Sequence, residues 1–317
     1  MVDTKEFSRL FKVNIPYEKE LNYYLTLLGR SKAEWFFFFF SPHGLSPIQM
    51  AERFQQFEAD IAPLRVSEYR KRCMERLLEY ISNTAAYKEF NTMRMAEKKV
   101  NEEIDLTTND NEIVLSVDMC DANYSILKSF DANGELHANW LCLCKILNVH
   151  DILIASKSFR QLIFGNLNPR RNQKMQKNYM DTVRAKLPEQ SFAFVSHDEF
   201  WIKTGVVVKN DDEIEVSLPE RIGEIRRILS TENKFSLRKT YFKLRRIAPD
   251  EYVKHEFEDV DGDRIVRQIP ESRHLYKVPG NKFYMRFKQY VLNEAFDKRD
   301  LYFQQDGELA SWVVDKE

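Results

Sequence analysis

Apolar positions along this chain change period several times, and each change marks an element. Tyr17 to Leu28 has helical spacing, and Arg65 to about Val100 reads as one long charged helix or two. Between them, Trp35 to Phe40 is a short apolar run ending at Ser41-Pro42-His43-Gly44, which fits a buried strand. Ser46-Pro47 reads as a helix cap followed by proline at the first helical position. The character changes at Asn109-Asp110-Asn111. A strand is expected from Glu112 to Val117, then a turn at Asp118. Helices are expected at Tyr124 to Phe130, Leu141 to Leu147 and Asp151 to Gly165, and from Pro169 to about Leu187. Ser191 to Lys203 reads as a hairpin with its tip at His197-Asp198-Glu199.

The last third alternates too. A strand at Glu213 to Ser217 precedes a helix from Pro219 to Leu229. Phe235 to Ile247 fits a twisted edge strand with basic residues on its wet face. Asp259 to Asp263 opens like a calcium loop but lacks the Glu at its twelfth place, so it reads as a hairpin turn. Phe283 to Phe296 suggests a helix, and Tyr302 to Val314 a final hairpin about Asp306-Gly307. The expected class is α+β. A helical region spans 1–108, an α+β centre with an antiparallel sheet spans 109–208, and a further α+β part spans 209–317.

Composition supports a real core: 43% of the 317 residues are hydrophobic, and only 9 are Gly and 10 Pro. Net charge is −1, so the whole-chain balance does not point to nucleic acid, but its distribution is uneven. Asp151 to Leu187 holds eight Lys/Arg against two acids, and Arg221 to Ile247 nine against two. Asp250 to Asp263 reverses this, with seven acids against one Lys. Such local polarity can attract phosphate while the total stays neutral. The four cysteines form no Cys-x-x-Cys pair, which argues against a structural zinc or a disulfide framework. The first residues lack the apolar stretch of a signal peptide, and no apolar run is long enough to span a bilayer. A soluble protein of a reducing, cytoplasmic compartment is expected, without a membrane partner.

Three stretches carry candidate chemistry. Asp118 closes an apolar strand, the position from which a rigidly held carboxylate can meet a cation; the same residue type also caps helices. Lys157 and Arg160 lie one helical turn apart and could face phosphate together. Asp198 stands at a hairpin tip, where a plain solvent-facing turn is the other reading. Two basic segments could follow a nucleic-acid backbone. One is the helix with Arg170, Arg171, Lys174 and Lys177. The other is the strand with Arg238, Lys239, Lys243, Arg245 and Arg246, interleaved with Tyr241 and Phe242. Ordinary solvated surface explains either segment equally well.

The order of these stretches resembles the palm of family B and family A DNA polymerases, over roughly residues 112 to 205. Motif A of family B has the form Asp-x-x-Ser-Leu-Tyr-Pro-Ser-Ile-Ile. Asp118 takes the Asp place and Ser125-Ile126-Leu127 falls on Ser-Ile-Ile. Motif B, Lys-x-x-x-Asn-Ser-x-Tyr-Gly, is similar to Lys157-Ser-Phe-Arg-Gln161-Leu-Ile-Phe164-Gly165. Motif C, Tyr-x-Asp-Thr-Asp-Ser, is similar to Phe194-Val-Ser196-His197-Asp198-Glu199, with Ser196 for the first Asp; His197-Asp198-Glu199 also looks like the His-Asp-Glu of family A. Asn123 or Tyr124 occupies the ribose-discriminating place. The resemblance implies a compact nucleotidyltransferase acting on nucleic acid and a nucleoside triphosphate. It implies two Mg²⁺ or Mn²⁺ ions, about 3.5–4 Å apart, held by Asp118 and Asp198, with Lys157 and Arg160 on the phosphates. The departures leave room for a nucleic-acid-binding or assembly protein built on a degenerate palm that no longer catalyses.

Overall fold

A computed structural model of the chain describes residues 56–93, 110–209, 215–261 and 264–278. It also describes positions 286, 289, 290, 293 and 295, and the strands at 302–305 and 308–311. The features expected at Tyr17 to Leu28, Trp35 to Phe40 and Ser46-Pro47, and most of that at Phe283 to Phe296, lie outside the described residues.

The fold is α+β, with an antiparallel seven-stranded sheet. Two compact units interleave along the chain. The first comprises Met1–Met93, Leu127–Pro169 and Arg299–Glu317; the second comprises Arg94–Ile126 and Arg170–Lys298. Among the described residues no helix is long and apolar enough to cross a membrane.

In the first unit, α1 (Val66–Asn83) and α2 (Ala85–Thr92) are separated at Thr84, whose hydroxyl caps α2 by accepting the Tyr87 N–H. Cys73, Leu77 and Ile81 recur at i, i+4 and i+8 on the buried face of α1. The helices α3 (Ala122–Lys128), α4 (Trp140–Ile146), α5 (Asp151–Ala155) and α6 (Lys157–Gly165) follow β1 (Glu112–Met119), α3 running from the second unit into the first. The Trp140 indole N–H donates to the Ile154 carbonyl at 3.1 Å and ties α4 to α5. The single helix expected from Asp151 to Gly165 is broken at Ser156, whose extended backbone (ψ 110°) ends α5. Its hydroxyl accepts the Phe159 N–H and starts α6.

The second unit holds the sheet. Its strands are β1, β2 (Phe192–Val195), β3 (Glu199–Val207), β4 (Glu215–Ser217), β5 (Leu237–Ala248), β6 (Glu251–Asp259) and β7 (Ile265–Tyr276). They lie in the order β2-β3-β1-β5-β6-β7-β4. β1 therefore sits between β3 and β5, antiparallel to both. With the crossover helices α7 (Pro169–Arg184) and α8 (Glu220–Ser230), the segment β1–α7–β2–β3–α8–β5 has the split β-α-β order. Both helices pack on one face of the sheet. Arg184 of α7 stacks on Phe192, which meets Phe200 edge to face. Arg226 of α8 lies over Tyr241, and Lys239 reaches Ser230.

β5 is a correction to the expected edge strand: it lies inside the sheet, paired along its length with β1 and β6. The expected turn after Asp259 is a β6–β7 hairpin, closed by the Val260 N–H on the Ile265 carbonyl at 2.8 Å. A separate hairpin of β8 (Tyr302–Gln305) and β9 (Glu308–Ser311) stands where the last hairpin was expected.

On the face away from α7 and α8, an aromatic cluster fills the middle of the sheet. Trp201 meets Phe194, Phe242 and Tyr276 at centroid distances of 4.6, 4.8 and 5.7 Å, with Val114, Leu244 and Tyr252 packed around them. Phe242 has no exposed surface. Phe242→Ala is expected to cost about 3–5 kcal/mol, read as a lower denaturation midpoint with Trp201 fluorescence as the probe.

Candidate functional site

Antiparallel pairing decides which side chains share a face, because directly opposed residues project together. Asp118 on β1 is opposed by Glu199 on β3 and by Arg238 on β5. One cross-strand row therefore reads Glu199–Asp118–Arg238, on the face away from α7 and α8. The next row inward is Trp201–Ser116–Thr240.

Each acid of the row has its own donors. The Glu199 Oε1 accepts the Ser116 hydroxyl and the Trp201 indole N–H, both at 2.6 Å. Arg238 forms an ion pair with Asp118. Two carboxylates directly opposed repel each other, and the guanidinium on one of them offsets that cost. Partial desolvation of the Arg238 guanidinium opposes its charge. The hydrogen bond it donates to Asp118, the Asp118 charge, and those of Cys120 and Glu199 outweigh burial and raise the Arg238 pKa. The Arg238 side chain stays 65% exposed, so it can move, while Asp118 is 23% exposed.

Asp198 is the last of the three residues, Ser196 to Asp198, that join β2 to β3. The Ser196 N–H donates to the Glu199 carbonyl at 2.7 Å and closes the turn. The Ser196 hydroxyl donates to the Asp198 Oδ1 at 2.9 Å, and His197 Nε2 stands 3.6 Å from the same oxygen. The Met119 N–H donates to the Asp198 carbonyl at 2.9 Å, so the loop residue Asp198 stands opposite Met119, at the same end of the sheet as Asp118. Ser196, the departure from motif C, here serves to hold Asp198.

Hard oxygen donors at a strand end suit Mg²⁺ or Mn²⁺. Among the described residues no group of three or more His, Cys, Asp or Glu is arranged to hold a metal. A pair of acids still fits the way Mg²⁺ usually binds, through one or two carboxylates plus substrate phosphates. Asp118 and Asp198 are the residues that would hold it.

The predicted basic residues fall in several places. Lys157 and Arg160 lie on α6 of the first unit, the acids in the second. Lys157 is exposed and opens its helix, where a cation works against the helix dipole. On α7, Arg170 is exposed and Arg171 and Lys174 are half-buried. Lys177 is buried and pairs with Asp181 at 3.5 Å. On β5, alternation splits the set. Arg238 and Arg246 share the face of Asp118, while Lys239, Lys243 and Arg245 share the face of α7 and α8. Lys243 is wholly buried and its ammonium donates to the Val208 carbonyl. Lys177 and Lys243 thus serve the interior of this structure. Burial, with Arg226 nearby, holds the Lys239 ammonium below its ordinary pKa.

Glu199 was missed as a separate candidate. The available signal was its place two residues before Trp201, on the alternating face of β3. No family model matches the chain, and neither does any curated protein or solved structure.

Tyr276 reports on this end of the aromatic cluster. Burial, then the charge of Glu199 and the neighbouring Tyr252, push its phenol up from 10 to about 12. Because the folded value is raised, the stability it contributes is whole below pH 10 and is lost as pH climbs toward 12. Tyr276→Phe should flatten that alkaline loss in denaturation curves. Glu199→Gln should bring the Tyr276 titration, followed by tyrosinate absorbance against the Tyr276→Phe protein, down toward 10.

Proposed function

We propose that the chain is a polymerase-like nucleotidyltransferase whose acids sit on the β1–β3 end of the sheet. The observation that carries this reading is the backbone bond from Met119, the residue after Asp118, to Asp198, which joins the strand end and the hairpin tip at one end of the sheet. The ordered likeness to palm motifs A and C falls on these two elements. The proposal rests on the acids of the second unit alone.

Asp118 and Asp198 would hold Mg²⁺ or Mn²⁺, which when bound supplies Lewis-acid stabilisation of the attacking and leaving oxygens. Ser196 fixes the Asp198 carboxylate, and the Ser116 and Trp201 donors fix Glu199 beside Asp118. Arg238 neutralises Asp118 in the protein alone, and its exposed head is free to turn to a nucleotide phosphate.

One observation favours a second reading. The Asp118–Arg238 ion pair takes up the acid that a metal would need. A degenerate palm that binds nucleic acid without catalysis would keep such a pair.

Primer-extension and terminal-transfer assays with Mg²⁺ or Mn²⁺ separate the two. Incorporation by the unaltered protein is expected, and Asp198→Asn should reduce it to background. Its stability should change within about 0.5 kcal/mol, as at surface sites generally, and nucleic-acid binding should stay salt-sensitive. No incorporation under any template, primer and metal combination, with salt-sensitive binding retained, would establish the second reading instead.

A further inference from the structure

α1 carries Arg76, Glu79, Tyr80 and Asn83 at i, i+3, i+4 and i+7, on one stripe of the helix surface. With Glu135 and Leu147 across from them, they line a cavity of about 390 Å³. All six residues belong to the first unit. The volume falls within the about 300–1,000 Å³ of small-molecule sites.

The hydrogen bonds around the cavity show which groups build its walls. The Tyr80 hydroxyl donates to the Glu135 carbonyl at 2.8 Å and joins the far wall to α1. The Glu135 Oε2 accepts the Ala85 N–H at 2.7 Å, at the start of α2. The Arg76 Nη2 donates to the Asn148 carbonyl at 3.2 Å and to the Cys73 Sγ at 3.6 Å. Other groups are left over. Arg76 keeps the donors on Nε and Nη1, and Glu135 keeps its second carboxylate oxygen. Glu79 and Asn83 are exposed, and their side chains have no hydrogen-bond or ion-pair partner among the described residues.

Arg76 and Glu79 stand three residues apart, a spacing at which a helical ion pair can form. None forms between them, because the Arg76 guanidinium is drawn across to Asn148. The cavity therefore presents a cation and an acid side by side, neither neutralising the other. The Tyr80 ring and the Leu147 side chain supply apolar wall between the charged groups. A lone anion would meet the Glu79 charge, and a lone cation would meet Arg76. A ligand that carries both charges complements both.

We propose that this cavity binds a small zwitterion, its ammonium at Glu79 and its carboxylate at Arg76, with a short apolar body against Tyr80 and Leu147. A planar carboxylate suits the donors that Arg76 has left, which a guanidinium presents as a fork. The proposal is independent of the nucleotidyl-transfer reading, since it uses the first unit alone.

The test is a nuclear-magnetic-resonance titration of the full chain, with labelled tyrosine, by 6-aminohexanoate, hexanoate and hexylamine. The Tyr80 signal is assigned from its absence in Tyr80→Phe. 6-Aminohexanoate is expected to shift that signal with an affinity of about millimolar order, as befits so small a ligand. Hexanoate and hexylamine should each bind about 5-fold more weakly, the upper worth of one exposed ion pair. Glu79→Lys should weaken 6-aminohexanoate by at least that factor and leave hexanoate no weaker. Arg76→Gln, which can still donate to the Asn148 carbonyl, should weaken 6-aminohexanoate and hexanoate but not hexylamine. Should Arg76→Gln not fold, the exposed Glu79→Lys decides alone. No shift of the Tyr80 signal at saturating ligand would overturn the proposal. So would hexylamine or hexanoate binding as tightly as 6-aminohexanoate, or unchanged 6-aminohexanoate affinity in Glu79→Lys. All of these would leave the proposed function standing.

Discussion

Two hydrogen-bonded ladders meet on β1, and the candidate site depends on both. Pairing with β3 sets Asp118 against Glu199, and pairing with β5 sets it against Arg238. A slip of one residue in either ladder would turn the partner to the opposite face. The register is held from below by apolar β1 residues such as Ile113, Leu115 and Val117, all without exposed surface. It is held from above by the aromatic cluster around Trp201. Packing on both faces thus fixes the positions of charged groups at the strand ends.

That dependence explains which parts of the site the sequence revealed. The β1 strand was legible because its apolar run is continuous, as expected of a strand covered on both sides. Its end was placed before Asp118 because an acid reads as a turn. The two ladders carry the strand on to Met119, so Asp118 is a strand residue with opposed partners. Glu199 was read as part of a tip because three polar residues stood together. Only the register shows that it faces Asp118.

The edge-strand reading of β5, and the burial of Lys177 and Lys243, trace to a related cause. Charge in a sequence window says nothing about facing. β5 reads as an edge strand while its lysines are assumed wet, yet Lys243 finds a carbonyl inside the sheet and Arg238 finds Asp118. On α7, Asn172, Gln176 and Lys177 are buried where an apolar pattern would not place them, because amide and ion-pair partners meet them there. The break at Ser156 was hidden as well, since a capping serine fits a helical period until its own backbone turns extended.

The central claim is that the Asp118 end of the sheet holds a divalent metal together with a nucleotide. The most direct measurement is a paramagnetic-resonance titration of Mn²⁺ in the presence of ATP, comparing the unaltered protein with Asp118→Asn. The account predicts a bound Mn²⁺ signal for the unaltered protein that is lost in the variant, with both proteins folded. The same bound signal in both would contradict it.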